Sequence, residues 1–308
     1  MSPANSQLQP MSVRPLPSTG PALVRAWCRF LVSASWKPVP GNARLRAERR
    51  LARPWQPRVA PREAAPEKAG VVFIQRGGDY FYWDADFLRA GDPRYFDVGW
   101  LRGQGLLTGQ ATGRSAAWLI REGNAAWVLR HYFRGGLVGR WNRDTHISIL
   151  LRATRPWREF TLLRELRRRG LPVPRPLGIR LARRGWFYRA DLLMERIADV
   201  RSLAERLAEP AGLSPATWAS IGRHIARLHQ AGADHADLNC RNVLLDSGGG
   251  VWLIDFDRGR LRQPGPWRLR NLARLKRSLD KEARKQPGLA WSRRHWQSLL
   301  LGYSRACF

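Results

Sequence analysis

Residues 235–257 read His-Ala-Asp-Leu-Asn-Cys-Arg-Asn-Val-Leu-Leu-Asp-Ser-Gly-Gly-Gly-Val-Trp-Leu-Ile-Asp-Phe-Asp, and they carry the most informative pattern in the chain. Two apolar runs, 243–245 and 251–254, have the length and composition of short strands. Between them, residues 246–250 are Asp-Ser-Gly-Gly-Gly, which tolerate the positive φ angles of a tight turn. The stretch is therefore predicted to form a loop, a β-hairpin and a second loop, with the two loops side by side.

Three oxygen-bearing side chains in these loops suit phosphoryl transfer. Divalent metals that neutralise nucleotide phosphates prefer oxygen ligands, so Asn242 and Asp255 are predicted metal ligands. Asp237 is then free to orient an acceptor hydroxyl and take its proton. The order His235-x-Asp237-x-x-x-x-Asn242, followed by Asp255-Phe256, matches the catalytic and metal-binding loops of protein-kinase-like enzymes. An ordinary surface hairpin is the alternative, and the complete order argues against it.

Composition limits the kind of protein and the kind of partner. The 308 residues are 44% hydrophobic, enough for one two-lobed domain or two small domains. The formal net charge of +30 would attract nucleic acid, an anionic membrane or a phosphorylated substrate. Cys28, Cys240 and Cys307 lack metal-ligand spacing and predict a reducing compartment. No apolar run approaches the roughly 20 residues of a membrane-spanning helix.

The chain divides into three predicted segments. Residues 1–68 are rich in Pro, Arg and Ala and are expected to be a disordered basic leader. Two alternatives are a membrane-touching arm, since Trp and Arg suit an interface, and a start set too far upstream. Residues 69–195 and 196–308 are expected to form an N-terminal and a C-terminal lobe, the second with the catalytic loop and basic C-terminal helices.

A nucleotide site is predicted from the N-terminal lobe. Residues 116–120 and 125–130 read as two strands joined by a turn, and Gly113 lies in a turn before the first strand. Backbone N–H groups of such a turn can lie over phosphates, although most glycine turns are only turns. Arg130 ends the second strand, where it could hold the α- and β-phosphates; an ordinary surface arginine is the alternative.

Further contacts are expected from the helix and strand that follow. Residues 155–169 have helical periodicity, and Glu159 or Glu165 is a candidate to pair with Arg130, with Glu159 in the more suitable, earlier position. A strand-like run ends at Glu195, where backbone groups would face an adenine ring. The alternative at Glu195 is an ordinary strand exit.

The histidines and the basic C-terminal segment have plainer interpretations. His224 and His229 lie on a predicted helix and are expected to pack rather than bind a ligand, and His235 is expected to hold its loop by hydrogen bonds. From Trp267 another helix pattern places leucines inward and cations outward. The cationic face is either simply solvated or contacts an anionic acceptor or membrane.

A family resemblance rests on four stretches. They are residues 235–262, which include Ile-Asp-Phe-Asp-Arg-Gly, residues 129–136, which include Arg-x-Tyr-x-Arg-Gly-Gly, and the shorter 159–160 and 171–174. Together they closely resemble the Kdo kinase family, the 3-deoxy-D-manno-octulosonic acid kinases of lipopolysaccharide inner-core assembly. From about residue 70 onward, the resemblance implies an α+β, protein-kinase-like two-lobed fold with a small β-rich N-lobe and a larger helical C-lobe.

The resemblance also implies an activity and roles for residues. The activity is ATP- and Mg²⁺-dependent phosphorylation of the Kdo 4-hydroxyl on a Kdo-bearing lipid A precursor, at the cytoplasmic side of the cell inner membrane, with peripheral attachment to its anionic surface. Asp237 would be the catalytic base, and Asn242 and Asp255 the metal ligands. Ala236 replaces the arginine of His-Arg-Asp, which argues against regulation by a phosphorylated activation loop. Asp257 replaces the glycine of Asp-Phe-Gly, and its role is open.

Other functions remain as alternatives. A lipopolysaccharide heptose kinase or an antibiotic kinase would share the fold, but antibiotic kinases bind cationic substrates and need acidic pockets, which the basic segments disfavour. A nucleic-acid-binding protein would explain the charge, but zinc spacing, RNA-binding aromatic signatures and a helix-turn-helix pattern are absent, so no nucleic acid partner is expected. A pseudokinase scaffold is disfavoured because the three loop residues are intact.

Overall fold

The computed structural model of the chain describes most residues after the predicted leader. The described ranges are 70–85, 91–111, 117–132, 146–147, 154–184 and 187–307. The predicted leader, 1–68, and the phosphate-turn candidate Gly113 lie outside these ranges. Within them the protein is a mixture of one large antiparallel sheet and several helices, so the expected α+β class is confirmed.

The N-terminal part is built on an eight-stranded sheet. Its strands are β1 (Val71–Arg76), β2 (Asp79–Asp84), β3 (Leu107–Ala111), β4 (Ala117–Glu122), β5 (Ala125–His131), β6 (His146–Ile147), β7 (Pro176–Arg184) and β8 (Phe187–Glu195). Seven strands follow the order β1-β2-β7-β8-β5-β4-β3, and β6 pairs with β8. The two strands predicted before the helix are β4 and β5, joined by a turn in which Gly123 has a φ of 56°.

Both faces of the sheet are buried. On one face, Trp83, Leu129 and Leu193 pack under a short 3-10 helix (Pro93–Phe96) and α1 (Val98–Gly103). On the other face, α2 (Arg155–Arg168) covers the sheet. The apolar residues of α2 recur every three or four positions, which gives the helix one buried side. This packing fixes α2 against β7 and β8.

The C-terminal part is mainly helical. Its helices are α3 (Leu203–Leu207), α4 (Pro215–Gln230), α5 (Trp267–Lys285) and α6 (Arg293–Ala306), and its short strands are β9 (Val200–Ser202), β10 (Ala233–Asp234), β11 (Val243–Asp246), β12 (Val251–Leu253) and β13 (Arg260–Leu261). The predicted hairpin is confirmed as β11 and β12, with Val243 opposite Leu253. β9 pairs with the other edge of β11, and β10 pairs with β13.

Helices α4 and α6 pack closely because glycine occurs where they cross. A Cβ atom at Gly222 would collide with the backbone of Leu299, and a Cβ atom at Gly302 would collide with the backbone of Ala219. Helix α4 begins as its sequence predicts: the Ser214 hydroxyl accepts the N–H of Thr217, and proline follows at the first helical position. In the described ranges, none of the helices combines the length and apolarity needed to cross a bilayer.

Candidate active site

The loop between β10 and β11 is held in place by a buried histidine. His235 is fully buried, and its Nε2–H donates to the carbonyl oxygen of Ile254 at 2.8 Å. Its backbone N–H donates to the side-chain oxygen of Asn271 on α5 at 3.0 Å. Burial lowers the pKa of His235, which keeps the ring neutral. The predicted structural role of His235 is confirmed: the ring ties the loop before the hairpin to the loop after it.

The same two loops carry the three predicted catalytic and metal-binding residues. The Asn242 Nδ2–H donates to the backbone oxygen of Asp237 at 3.0 Å, and the backbone oxygen of Asn242 accepts the N–H of Ile254 at 3.0 Å. Asp255 follows Ile254 directly, and its φ of 65° is in the left-handed region that few residues other than glycine adopt. A strained, specific backbone at this position aims the carboxylate, as is common at functional sites.

The free oxygens of these loops fit a magnesium ion that also binds nucleotide phosphates. Among the described residues, the side-chain oxygen of Asn242 and the Oδ2 atom of Asp255 accept no hydrogen bond from protein. Across those ranges no group of three His, Cys, Asp or Glu side chains could hold a metal alone. Mg²⁺ needs no such group, because it keeps several waters and takes the remaining ligands from substrate phosphates. The metal-ligand roles of both residues stay predictions.

Arg130 on β5 joins the sheet to the loop that carries Asp255. Its Nη1 atom lies 3.2 Å from Oε1 of Glu159 on α2, and its Nη2 atom lies 2.7 Å from Oδ1 of Asp255. The second oxygen of Glu159 accepts the Tyr132 hydroxyl at 2.6 Å. The expected pairing of Arg130 with Glu159 is therefore present. Arg130 also contacts Asp255, so one guanidinium links strand, helix and loop.

Burial sets the protonation of this cluster. The Glu159 side chain is only 1% exposed, and burial raises its pKa to about 7 although Arg130 and Tyr132 favour the charged form. Burial opposes the charge of Arg130, but the carboxylates of Glu159 and Asp255 raise its pKa, so Arg130 stays protonated. Glu159 is thus the group in this cluster whose charge changes near neutral pH.

The structure gives less support to Glu165 as a partner of Arg130 and to Glu195 as an adenine contact. Glu165 pairs with Arg168 and Arg169 on its own helix, at 3.0 and 2.6 Å, and takes no part in the Arg130 cluster. The Glu195 N–H donates to the backbone oxygen of Arg175 at 2.8 Å, so that donor is occupied within the sheet. An adenine contact from Glu195 stays a prediction, and it would have to come from the carbonyl group or the following residues.

Asp257, whose role the sequence leaves open, holds the start of α2. The Arg155 Nε–H donates to Oδ1 of Asp257 at 2.8 Å, and Nη2 of Arg155 contacts Oδ2. Arg155 is the first residue of α2, one turn before Glu159. The loop that carries Asp255 and Asp257 is therefore tied to α2 at two points, through Arg130 and through Arg155.

The carboxylate of Asp237 also has an arginine partner, from α5. The Arg274 Nε–H donates to Oδ1 of Asp237 at 2.8 Å, and Nη2 lies 2.5 Å from the same oxygen. Asn239 contributes a longer contact to Oδ1, at 3.3 Å. Both members of the Arg274–Asp237 pair are nearly half exposed, so an acceptor could reach the carboxylate from solvent.

The sequence did not identify three residues that hold the candidate site residues in place. Tyr132 follows Arg130 by two positions, so the alternation of an extended chain could have placed both on one side. Arg155 precedes Glu159 by four positions, which puts both on one side of the helix. Arg274 has no local signal, because it is one of many cations on α5 and its partner is 37 residues away.

Comparison with known proteins points to a kinase, the same class of enzyme that the arrangement of these residues suggests. Residues 98–303 match the family model described as the lipopolysaccharide kinase (Kdo/WaaP) family. A 3-deoxy-D-manno-octulosonic acid kinase of Xanthomonas axonopodis pv. citri (strain 306) is 49% identical over 208 residues, which are 67% of this chain and 82% of that protein. The kinase of the same name from Vibrio vulnificus (strain YJ016) is 38% identical over 229 residues, 74% of this chain and 96% of that protein.

The match includes the elements that build the site. It begins at α1 and ends in α6, so it covers β5, α2, the hairpin and both loops. The resemblance found in the sequence is confirmed, as is the protein-kinase-like, two-lobed fold. The chain belongs to the lipopolysaccharide kinase (Kdo/WaaP) family.

Proposed function

We propose that this protein uses ATP to phosphorylate the 4-hydroxyl of Kdo on a Kdo-bearing lipid A precursor, a step of lipopolysaccharide inner-core biosynthesis. The names of its relatives support Kdo as the sugar. The site supports phosphoryl transfer, because a carboxylate and two candidate metal ligands meet on neighbouring loops. The acceptor hydroxyl and the lipid A precursor follow from the family resemblance of the sequence.

The observation that carries the proposal is the cluster around Arg130. In kinases, a cation on a strand pairs with a glutamate of the following helix, and both must be in place for the nucleotide to bind productively. Here Arg130 meets Glu159 at 3.2 Å and Asp255 at 2.7 Å. Arginine replaces the usual lysine and offers a bidentate fork with further N–H groups for the α- and β-phosphates.

The proposed reaction transfers one proton to Asp237 and one phosphoryl group to the acceptor. The acceptor O–H loses its proton to Asp237 while its oxygen forms a bond to the γ-phosphorus of ATP. The bond between that phosphorus and the bridging oxygen to the β-phosphate breaks, and ADP leaves. When bound through Asn242 and Asp255, Mg²⁺ would neutralise charge on the phosphates. The chain's own residues orient the hydroxyl, hold the phosphates and accept the proton.

The surface beside the site fits an anionic, membrane-held acceptor. Helix α5 carries four exposed cations on one face, which we name the cationic stripe: Arg270, Arg277, Lys281 and Arg284. Their side chains make no ion pair or hydrogen bond with another described residue. The stripe spans about 21 Å of helix, at 1.5 Å per residue, and Arg274 lies between its first two members. Because Arg274 contacts Asp237, the stripe passes Asp237 near its N-terminal end.

We infer that the cationic stripe holds the protein peripherally on the anionic cytoplasmic side of the inner membrane. Each Lys or Arg near an anionic leaflet contributes about 1 kcal/mol of attraction, which salt screens. Changing Arg277 and Lys281 together to glutamine should weaken sedimentation with anionic phospholipid vesicles about thirtyfold. The matched control changes Arg223 and Arg227, two exposed cations of α4, in the same way. Equal loss in both double variants would contradict a role for the stripe.

Purified protein, ATP, Mg²⁺ and a Kdo-bearing lipid A precursor test the proposed activity directly. The expected product carries one phosphate on the Kdo 4-hydroxyl, located by mass spectrometry and NMR. Asp237→Asn should lower kcat by about 10²- to 10⁴-fold, the usual contribution of a general base. Asp92→Asn is the matched control, because Asp92 caps the 3-10 helix (Pro93–Phe96) and asparagine caps equally well. Transfer to heptose and not to Kdo would replace the proposal with a heptose kinase.

The metal-ligand roles need a measurement that does not depend on turnover. ATP should raise the melting temperature of the protein more with Mg²⁺ than with a chelator, because binding to the folded state stabilises it. Asn242→Ala and Asp255→Ala should remove most of this Mg²⁺-dependent increase. A full increase in both variants would show that the ion, if bound, is held elsewhere.

A further inference from the structure

The two oxygens of the Asp237 carboxylate differ in their surroundings. Oδ1 accepts the Nε–H of Arg274 at 2.8 Å, lies 2.5 Å from Nη2 of the same side chain, and accepts a longer contact from Asn239. Oδ2 has no hydrogen-bond partner among the described residues. The arginine therefore fixes the carboxylate through one oxygen and leaves the other to receive a proton from the acceptor.

Arg274 has donors left over after it holds Asp237. A guanidinium carries five N–H bonds in one plane, and the contacts to Oδ1 use the Nε–H and one Nη2–H. Both Nη1–H bonds and the second Nη2–H remain. The side chain is 48% exposed, so these donors are accessible to a ligand. Because the guanidinium is planar and rigid, their position relative to Oδ2 of Asp237 is fixed.

An acidic sugar offers a pair of groups that matches this pair of residues. In Kdo the carboxylate is attached to one ring carbon, and the 4-hydroxyl to the next carbon but one. Arginine pairs with carboxylates through two parallel hydrogen bonds, which fixes the orientation of the bound group. A carboxylate bound by Arg274 would therefore lie beside a hydroxyl that points at Oδ2 of Asp237.

We propose that Arg274 selects the acceptor by binding the carboxylate of the acidic sugar while it holds Asp237 in place. This inference rests on the proposed function and deepens it by naming the residue that distinguishes an acidic sugar from a neutral one. A neutral sugar would leave the remaining guanidinium donors without a partner. Sites built to pair with a polar group reject analogues that lack the group more strongly than apolar pockets reject a size difference.

The test measures binding of two soluble probes, the methyl glycoside of Kdo and the same glycoside with its carboxyl group reduced to an alcohol. Isothermal titration in the presence of ADP gives a Kd for each probe with wild-type protein and with Arg274→Gln. Wild-type protein should prefer the carboxylate by about tenfold to a hundredfold, the range for hydrogen bonds to charged groups. Arg274→Gln should bind both probes equally. Arg274→Lys should retain part of the preference, since it keeps the charge and loses the fork.

Arg223→Gln is the matched control, because it removes one exposed helical cation and should keep the wild-type preference. Equal binding of both probes by wild-type protein, binding of neither probe, or an unchanged preference in Arg274→Gln would each overturn the inference. A variant that lowers kcat by the same factor for both probes while keeping the Kd ratio would mean that Arg274 only positions Asp237, which also overturns it.

The binding ratio and the transfer assay fail independently. If wild-type protein prefers the acidic probe through Arg274 but transfers no phosphate to Kdo, the inference stands and the proposed reaction is wrong. If transfer to Kdo proceeds and the Kd ratio does not depend on Arg274, the reaction stands and the inference is wrong.

Discussion

Replacing Glu159 by glutamine should change how the stability of the protein depends on pH. Glu159 is buried between Arg130 and Tyr132, and burial raises its pKa to about 7 from 4.5. The folded protein therefore binds this proton more tightly than the unfolded chain does. The resulting stability is fully present below about pH 4.5 and is lost as pH rises through about 7. The difference in pKa corresponds to roughly 3 kcal/mol across that window.

Urea unfolding of wild-type protein and Glu159→Gln at a series of pH values from 5 to 8 measures this contribution. Glutamine cannot titrate, so the free energy of unfolding of wild type minus that of the variant should fall by up to about 3 kcal/mol as pH rises. Glutamine keeps a carbonyl oxygen that can accept from Tyr132 or Arg130, which limits other changes at the site. The slope with pH is therefore the informative quantity, and the offset between the two proteins is not.

Glu165→Gln is the matched control on the same helix. Hydrogen bonds from Arg168 and Arg169 lower the pKa of Glu165, so this carboxylate stays charged throughout the range in both folded and unfolded protein. Its difference from wild type should be flat between pH 5 and 8. A flat difference for Glu159→Gln as well would refute the reasoning, because it would mean that Glu159 does not change its charge near neutral pH.

The remaining predictions concern helix packing and the contacts of the loop that carries Asp255 and Asp257. Gly222→Ala should lower the free energy of unfolding by about 1–3 kcal/mol in urea, because its new methyl group collides with the backbone of α6, whereas Gly103→Ala, in open space, should be close to neutral. Tyr132→Phe should lower the free energy of unfolding by about 1–3 kcal/mol, because it leaves an oxygen of a buried carboxylate unpaired. Asp257→Asn and Arg155→Gln should each lower kcat by loosening α2, and the double variant should be no worse than either single one. Additive losses in that double variant would mean that the two residues act separately.

Local signals in the sequence are sufficient to predict the hairpin of β11 and β12. The glycine-rich turn between two apolar runs predicts β11 and β12, and the polar residues on either side of that hairpin follow from it. The helices α2, α4 and α5 were also predictable, since each has apolar residues at helical spacing and α4 has a Ser-Pro start. These features depend on neighbours within a few residues.

The large sheet was only partly predictable, because its pairing is not local. β2 pairs with β7, whose partner residues lie about 100 positions later, and the local sequence predicts neither strand. β2 has Tyr-Phe-Tyr-Trp in succession, with several side chains buried on both faces, so it lacks the alternation that marks a half-exposed strand. Both faces of the strand are buried because α1 covers one side of the sheet and α2 covers the other.

The charged contacts of the site show why composition alone could not define it. The sequence has 54 Lys and Arg residues against 24 Asp and Glu, so each acid has more than two possible partners and only the fold selects one. Four acids of the candidate site are bound by arginine: Glu159 and Asp255 by Arg130, Asp257 by Arg155, and Asp237 by Arg274. The site thus presents its carboxylates already neutralised. A nucleotide and an acidic acceptor are both anionic, and unpaired carboxylates would repel them. The excess of arginine therefore serves the site directly, since it pairs the carboxylates proposed for metal binding and proton transfer in a site proposed to receive negatively charged ligands.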